Sequence, residues 1–316
     1  MLTSFFKKSN PINYLVPLLV ISLFFIVYNF SSAFETFTWS FLIKKIAALA
    51  VLLTSAFILN FILIKDKSKG RNTYPLFLFS FFIISHWVIT INSTVIFAGF
   101  FIVLALHRII GMKTGQLMTK KIFDSCFFIG LAGLIFPPAL FFIIIPFWGV
   151  LYFAPENYKN WLIPFPAMLS VFILKTAIDL YLEDNFFNPF DLFTFQQINY
   201  EEFLNYQFLV PVLLILLFTL WASINILTAK IKVNQVQKKA DFLLIISFFV
   251  SLAAITFSGA YTTHNGAALL FPYITCALIG GRYFEIPQRK SSKIIEILLL
   301  TLSIVCFSFA ILSIWN

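Results

Sequence analysis

The stretch Asp179–Phe208, DLYLEDNFFNPFDLFTFQQINYEEFLNYQF, decides how the chain is interpreted, because it is the longest polar segment of a very apolar sequence. It holds six of the thirteen acidic residues, and no Lys or Arg occurs between Lys175 and Lys230. Phe and Tyr side chains accompany the acids, and Asn188-Pro189 marks a turn. We predict a loop over about residues 183–206, which is too short to bury a core of its own.

Outside this stretch the composition is that of a membrane protein. The 316 residues are 60% hydrophobic and 11% charged, whereas a soluble domain carries about 25% charged residues. A chain this apolar would expose large patches in water, so the bilayer is its expected solvent, and membrane lipids are its expected partners. The net charge of +9 sits in short clusters between apolar runs, which indicates membrane topology and not a nucleic-acid partner.

The apolar runs predict an all-α polytopic transmembrane bundle of about eleven spans, forming one integral-membrane domain over residues 1–316. Two pairs of runs are short and predict hairpins: 75–90 with 95–110, and 122–136 with 139–154. The second pair is broken by Pro137-Pro138, because proline cannot continue a helix interior. The remaining runs cover residues 12–33, 41–64, 161–182, 209–227, 241–258, 268–281 and 294–315.

Positive charge sets the predicted orientation. With the start of the first run in the cytoplasm, 19 of the 22 Lys and Arg residues fall on the inner side. This bias predicts N-in and C-out, which places the acidic stretch outside. The first run has a basic start and no A-x-A cleavage pattern before Glu35, so we expect a retained signal anchor. The expected location is the bacterial inner membrane, crossed several times.

The sequence lacks the common catalytic and cofactor signatures GxxxxGK[ST], GxGxxG, HExxH and GxSxG. The three histidines lie far apart in the chain, and the three cysteines form no CxxC pair. We therefore expect no metal, no cofactor and no disulfide framework. Each cysteine lies within an apolar run, at Cys126, Cys276 and Cys306.

Acids on the predicted outer side are the candidates for a general base. They are Glu35, Asp179, Glu183, Asp184 and Asp191. Neighbouring carboxylates such as Glu183-Asp184 can share a proton or bind a divalent cation. Asp179 lies within an apolar run four residues after Lys175, and an ionisable pair in a span is a functional hypothesis by default. The alternatives are a loop anchored by its aromatic side chains and a snorkelling Lys175–Asp179 pair.

Several further polar residues fall on the predicted outer side. Lys44 and Lys45 offer positive charge for a lipid phosphate, or are snorkelling lysines at the start of their run. His86 lies inside a run beside Ser85, and the alternative for it is a buried neutral imidazole bonded to a hydroxyl. His264 and Asn265 lie in the polar link GAYTTHNGA, which shares the predicted outer face with the acidic stretch, so we predict that both line the same outer cavity as that stretch. His86 is also a predicted cavity-lining residue.

The segment 122–153, IFDSCFFIGLAGLIFPPALFFIIIPFWGVLYF, carries Gly130, Ala132, Gly133 and Pro137-Pro138. It resembles the short hairpins of type-C glycosyltransferases, which are polytopic enzymes that use polyprenyl-phosphate sugars. The resemblance implies a polyprenyl-phosphate carrier as a partner and sugar transfer at the outer face. In one respect the chain departs from that pattern. Those enzymes usually have a long first outer loop with an acidic pair, whereas here this link is short and holds Glu35 alone.

The whole chain is also similar to a bacterial integral-membrane family described only as a domain of unknown function. Four elements carry this resemblance: SFFxKxxPIN at residues 4–13, LALxRI at 104–109, FDxxFxxGLAxL at 123–134 and WLIP at 161–164. This similarity implies a membrane protein and leaves the activity open.

Three functions are consistent with these features. The first is sugar transfer from a lipid carrier, with Glu35 or an acid of residues 179–191 as the base and Lys44 and Lys45 at the leaving phosphate. The second is a non-catalytic membrane subunit that joins other envelope membrane proteins in a secretion, motility or polysaccharide assembly. The third is a transporter with Asp179 and His86 as proton-coupled sites, which the lack of two related halves disfavours.

Overall fold

The computed structural model contains α-helices and 3₁₀-helices and no strand in the residues that it describes. Those residues are 6, 10–30, 38–63, 72–86, 88–184, 186–189, 206–228, 235–258, 265–285, 301 and 304–309. Within them the α-helices are α1 (Pro11–Phe30), α2 (Trp39–Ile62), α3 (Tyr74–Ile84), α4 (Val88–Ile91), α5 (Ser93–Gly111), α6 (Met118–Ile135), α7 (Ile144–Phe153), α8 (Tyr158–Leu162), α9 (Pro164–Glu183), α10 (Tyr206–Thr228), α11 (Gln235–Ser258) and α12 (Leu270–Glu285).

Three 3₁₀-helices connect or extend these helices: Met112–Thr114, Pro137–Ile143 and Asn265–Leu269. Residue 301 and residues 304–309 are also helical, and we call them the last helical segment.

Within the described residues, seven helical regions are long and apolar enough to cross a membrane by length and composition. They are Pro11–Asn29, Trp39–Ile62, Ser93–Thr114, Tyr158–Leu182, Phe208–Thr228, Gln235–Phe257 and Gly266–Glu285, beside the shorter apolar regions Tyr74–Ile84 and Pro137–Phe153. The predicted all-α fold with several apolar helices is therefore confirmed. The count of about eleven spans and the N-in/C-out orientation stay predictions.

Two predicted hairpins differ in detail from the structure. The run 75–90 is not one helix, because α3 ends at Ile84 and α4 begins at Val88. Its partner α5 has 19 residues and is longer than expected. The predicted break at Pro137 is present: α6 ends before Phe136, which has extended backbone angles, and a 3₁₀-helix then leads into α7. The residue before a proline disfavours the helical region, which accounts for this break.

The helix α12 forms the centre of the bundle. Every residue from Leu270 to Phe284 is buried, whereas most residues of α9 are exposed or half-buried. Helices α3, α10 and α11 pack around α12. Helices α1 and α9 lie at the rim and expose apolar side chains such as Leu19 and Leu169. Exposed apolar faces of this kind are stable when hydrocarbon is the solvent, so polar groups near α12 lie in the protein interior.

The close packing of α12 against α3 requires a glycine. A Cβ atom on Gly281 would lie 2.5 Å from Cγ and 2.9 Å from Cδ of Pro75, a ring with little freedom to move. We expect Gly281→Ala to lower the thermal midpoint in detergent by several degrees, because overpacking costs roughly 1–3 kcal/mol. Gly111→Ala is the matched control, since its Cβ would meet only the flexible Lys121 side chain, at 3.8 Å. Equal midpoints for the two variants would contradict the packing argument.

Candidate functional site

The short helix α4 is the place where several of the predicted outer features meet. It contacts α1, α5 and the 3₁₀-helix Asn265–Leu269. Val88 of α4 faces Gly266, and a Cβ on Gly266 would lie 3.6 Å from Cγ1 of Val88 and 2.5 Å from the ring of Phe208. We call this region the α4 junction and define it as α4 with the residues Asn29, Lys45, His86, Phe208 and Gly266.

Side chains from α1 and α2 bind the end of α4. The last carbonyl groups of a helix have no partner within the helix. Nζ of Lys45 donates to the carbonyl oxygen of Ile91 at 2.6 Å. Nδ2 of Asn29 donates to the carbonyl oxygen of Thr90 at 3.3 Å. Both side chains are buried, with exposed fractions of 7% for Lys45 and 5% for Asn29.

Lys45 and Asn29 retain unused hydrogen-bonding capacity. An ammonium group has three N–H donors, and a neutral carbonyl group does not balance its charge. The ring of Phe41 lies 5.6 Å from Nζ of Lys45, but no ion pair between described residues includes Lys45. The buried Oδ1 of Asn29 has no hydrogen-bond partner. A ligand with anionic oxygens and a hydroxyl group would satisfy both side chains.

His86 lies just before α4 and links it to α10 and α12. Nε2 of His86 lies 3.1 Å from the carbonyl oxygen of Phe208, which can only accept, so Nε2 carries the hydrogen. Nδ1 lies 2.7 Å from the hydroxyl of Tyr273 and 2.9 Å from that of Ser85. Because the Ser85 hydroxyl also donates to the carbonyl of Phe82 at 2.7 Å, Tyr273 is the donor to Nδ1. This geometry fits a neutral imidazole bonded to a hydroxyl group, which is the alternative that the sequence suggests for His86.

An apolar crevice of about 460 Å³ lies between α10 and the last helical segment. Its walls are residues of α10 between Pro211 and Trp221, and Thr301, Val305 and Cys306 of the last helical segment, none of them charged. One end of the crevice is near the junction, because Pro211 follows Phe208 by three residues.

The predicted acids of α9 have other partners. Nζ of Lys175 donates to Oδ1 of Asp179 at 2.5 Å, so the predicted i,i+4 ion pair is present. The ring of Phe187 lies 5.6 Å from the same Nζ. Asp184 follows α9 with a positive φ of 53° and is exposed. Helix α9 packs against α6, and no hydrogen bond or ion pair between described residues joins its acids to Lys45 or His86.

Several predicted site residues fall outside the described part of the chain. Glu35, Asp191 and His264 are among them, and so are the side chains of Glu183 and Asn265. Asn265 begins the 3₁₀-helix that packs on α4, and the exposed Lys44 precedes Lys45 in α2. The structure thus brings Lys45 and His86 to one junction, together with the element that Asn265 begins. Asp179 lies elsewhere, on α9, and Asp184 directly follows that helix.

The sequence did not reveal a second polar cluster, at the other end of α12. Nε and Nη2 of Arg282 donate to Oδ1 and Oδ2 of Asp241 at 2.8 and 3.2 Å, and Nη1 lies 3.1 Å from Oε2 of Glu285. Gln237 donates to Asp241 at 2.6 Å and Asn72 donates to Glu285 at 3.0 Å. Arg282 follows Tyr273 by nine residues, about 14 Å along the helix. This cluster therefore lies well away from the α4 junction.

The fold and the junction define a multi-pass helical membrane protein with buried polar groups gathered at a helix break. The chain belongs to the family of unknown function DUF6427, whose profile matches residues 1–315. The predicted membership of a membrane family of unknown function is thereby confirmed, and the resemblance to type-C glycosyltransferases stays a prediction.

Part of the chain is similar to the leukocyte surface antigen CD47 of Bos taurus, with 35% identity over 114 residues. This similarity covers 32% of the chain and 37% of that protein. No solved structure matches the chain.

Proposed function

We propose that the protein binds a polyprenyl-phosphate sugar at the α4 junction and transfers the sugar at the outer face of the bacterial inner membrane. The observation that carries this proposal is Lys45, a buried cation with no acidic partner in the described part of the chain. An ionisable side chain inside a membrane helix is costly and marks a functional site by default. A lipid phosphate supplies the opposite charge from within the membrane.

The polar groups of the junction match the two parts of such a head group. The ammonium of Lys45 binds a phosphate as a point charge, at a distance where charge-assisted hydrogen bonds are strong. The unpartnered Oδ1 of Asn29 accepts a hydrogen bond from a sugar hydroxyl. These two groups sit close together, since their side chains bind the consecutive carbonyls of Thr90 and Ile91. The exposed Lys44 adds positive charge at the interface.

The transfer step balances as a displacement at the anomeric carbon. The acceptor hydroxyl oxygen forms a bond to C1 of the sugar, and the bond from C1 to the phosphate oxygen breaks. The base takes the hydroxyl proton, and polyprenyl phosphate leaves with its new charge beside Lys45. We assign the base to Glu35, because its link joins the two helices that carry Asn29 and Lys45. The charge of Asp179 is instead compensated by Lys175.

The binding step is tested with the full chain in lipid nanodiscs. We expect tighter binding of polyprenyl phosphate than of the polyprenol with the same chain. Lys45→Met should weaken phosphate binding about tenfold or more, since a hydrogen bond to a charged group contributes about 1.5–3 kcal/mol. Lys239→Met is the matched control, because Nζ of Lys239 also donates to a backbone carbonyl, that of Tyr152, at 2.8 Å. Equal affinity for both lipids, or an equal loss in both variants, would contradict the proposal.

A non-catalytic membrane subunit is the second candidate. It is favoured by the contacts of the described acids for which we predict an outer location. Asp179 is paired with Lys175, Asp184 just after α9 is exposed, and neither takes part in the hydrogen bonds of the junction. Under this alternative, changes of the outer carboxylates are silent, and another envelope membrane protein co-purifies in mild detergent. The transporter hypothesis gains no support, because Asp179 and His86 make separate sets of contacts.

A further inference from the structure

We infer that the apolar crevice holds the isoprenoid chain of the same lipid whose phosphate binds at Lys45. The inference rests on the proposed function and assigns the part of the ligand that the junction does not contact. The crevice lies between α10 and the last helical segment, and the described residues of its walls carry no charged side chain. A phosphate with a long apolar tail thus has a polar site and an apolar site within reach of each other.

The distance between Lys45 and the crevice is limited by the short stretches of backbone that connect them. Pro211, at one end of the crevice, lies three residues after Phe208, whose carbonyl accepts from His86. From His86 the backbone continues through α4 to Ile91, which binds Lys45. At 1.5 Å per helical residue, the step from Phe208 to Pro211 rises about 5 Å. The five residues from His86 to Ile91 include a helix break and span at most about 18 Å. This connection keeps the crevice end and Lys45 within a few tens of ångströms of each other. A flexible polyprenyl chain spans this distance.

The crevice runs along a membrane-length helix and has an exposed side, and a bilayer lipid needs both features to bind there. It follows α10 from Pro211 to Trp221, about 15 Å along the axis, which is half of the roughly 30 Å hydrocarbon core. Leu214 and Leu217 line it and are also exposed, so its side is open to surrounding lipid. A ligand can therefore enter laterally, with its phosphate at the junction and its tail within the bilayer.

The crevice contributes to binding through packing. A lipid tail leaves one hydrocarbon environment for another, so removal from water provides no driving force, and close contacts decide the outcome. Affinity therefore depends mainly on the phosphate at Lys45. The crevice adds a smaller preference for long isoprenoid chains over short ones. A binding measurement with lipids of different chain length detects that preference.

The test fills the crevice with a bulky side chain. Leu214→Trp places an indole in the crevice, whereas Leu213→Trp is the matched control on the same helix, since Leu213 is similarly exposed and does not line the crevice. The probes are a long-chain polyprenyl phosphate and geranyl phosphate, in nanodiscs. We expect Leu214→Trp to weaken binding of the long chain fivefold or more with little change for geranyl phosphate, and Leu213→Trp to change neither.

The possible outcomes separate this inference from the proposed function. If Lys45→Met weakens binding of both probes and Leu214→Trp changes neither, the crevice is not the tail site and the phosphate site stands. If Lys45→Met changes neither probe, the proposed function fails. Should Leu214→Trp not fold, Leu217→Trp replaces it, because Leu217 also lines the crevice, with Leu220→Trp as its control. Equal effects of a crevice variant and its control on the long chain overturn the inference.

Discussion

Arg282→Met is expected to lower the free energy of unfolding by about 3–5 kcal/mol, the cost of removing one partner from a buried ion pair. Arg282 is the cation that neutralises Asp241 and Glu285, and Arg282 and Asp241 are 7% and 5% exposed. Methionine matches the length of the arginine stem and makes none of its hydrogen bonds. Two buried carboxylates would then face each other without a cation, in the interior of the helical bundle.

The measurement is the thermal midpoint of unfolding in detergent, compared with that of Arg108→Met. Arg108 also pairs with an aspartate, Asp124, at 3.2 Å, but the two side chains are 41% and 20% exposed. Such a partly exposed pair contributes about 0–1 kcal/mol, so Arg108→Met should lower the midpoint only slightly. Adding Asp241→Asn and Glu285→Gln to Arg282→Met should recover part of the loss, because it removes the unpaired charges. Similar midpoints for both arginine variants would contradict this account.

The long helices follow from the sequence because the bilayer fixes their length and composition. The runs 12–33 and 41–64 correspond within three residues to α1 and α2. Pro137-Pro138 marked a helix break that the structure has, since proline acts on its own backbone and that of its neighbour. The break before α4 was not predictable in this way. No proline or glycine lies there, and His86 instead bonds to Phe208 and Tyr273, which are distant in the chain.

The candidate site was only partly visible in the sequence. Lys45 and His86 were found because charged and polar side chains are conspicuous in apolar runs. Their partners include the backbone carbonyls of Ile91 and Phe208, which carry no sequence signal. The Asp241–Arg282 pair joins residues 41 positions apart. Both residues lie beside basic clusters, where charged side chains are expected at helix ends, so neither drew attention as a buried group.

Glu35→Gln is expected to reduce sugar transfer by about 10²–10⁴-fold, the usual contribution of a general base. The change keeps the shape of the side chain and removes its ability to accept the proton of the acceptor hydroxyl. The assay follows the release of polyprenyl phosphate from a labelled polyprenyl-phosphate hexose in membranes. The membranes supply the acceptor, so the acceptor need not be identified for this assay.

Asp184→Asn provides the matched carboxylate-to-amide change. Asp184 has a left-handed backbone, which asparagine also adopts readily, so the helix end should be unchanged. Because α9 packs on α6 and makes no described hydrogen bond to the junction, this variant should retain near-normal transfer. Loss of transfer in Asp184→Asn but not in Glu35→Gln would move the base to the acidic stretch. If the unchanged protein releases no polyprenyl phosphate and a membrane partner co-purifies with it, the non-catalytic subunit becomes the better account, with Lys45 as a structural cap of α4.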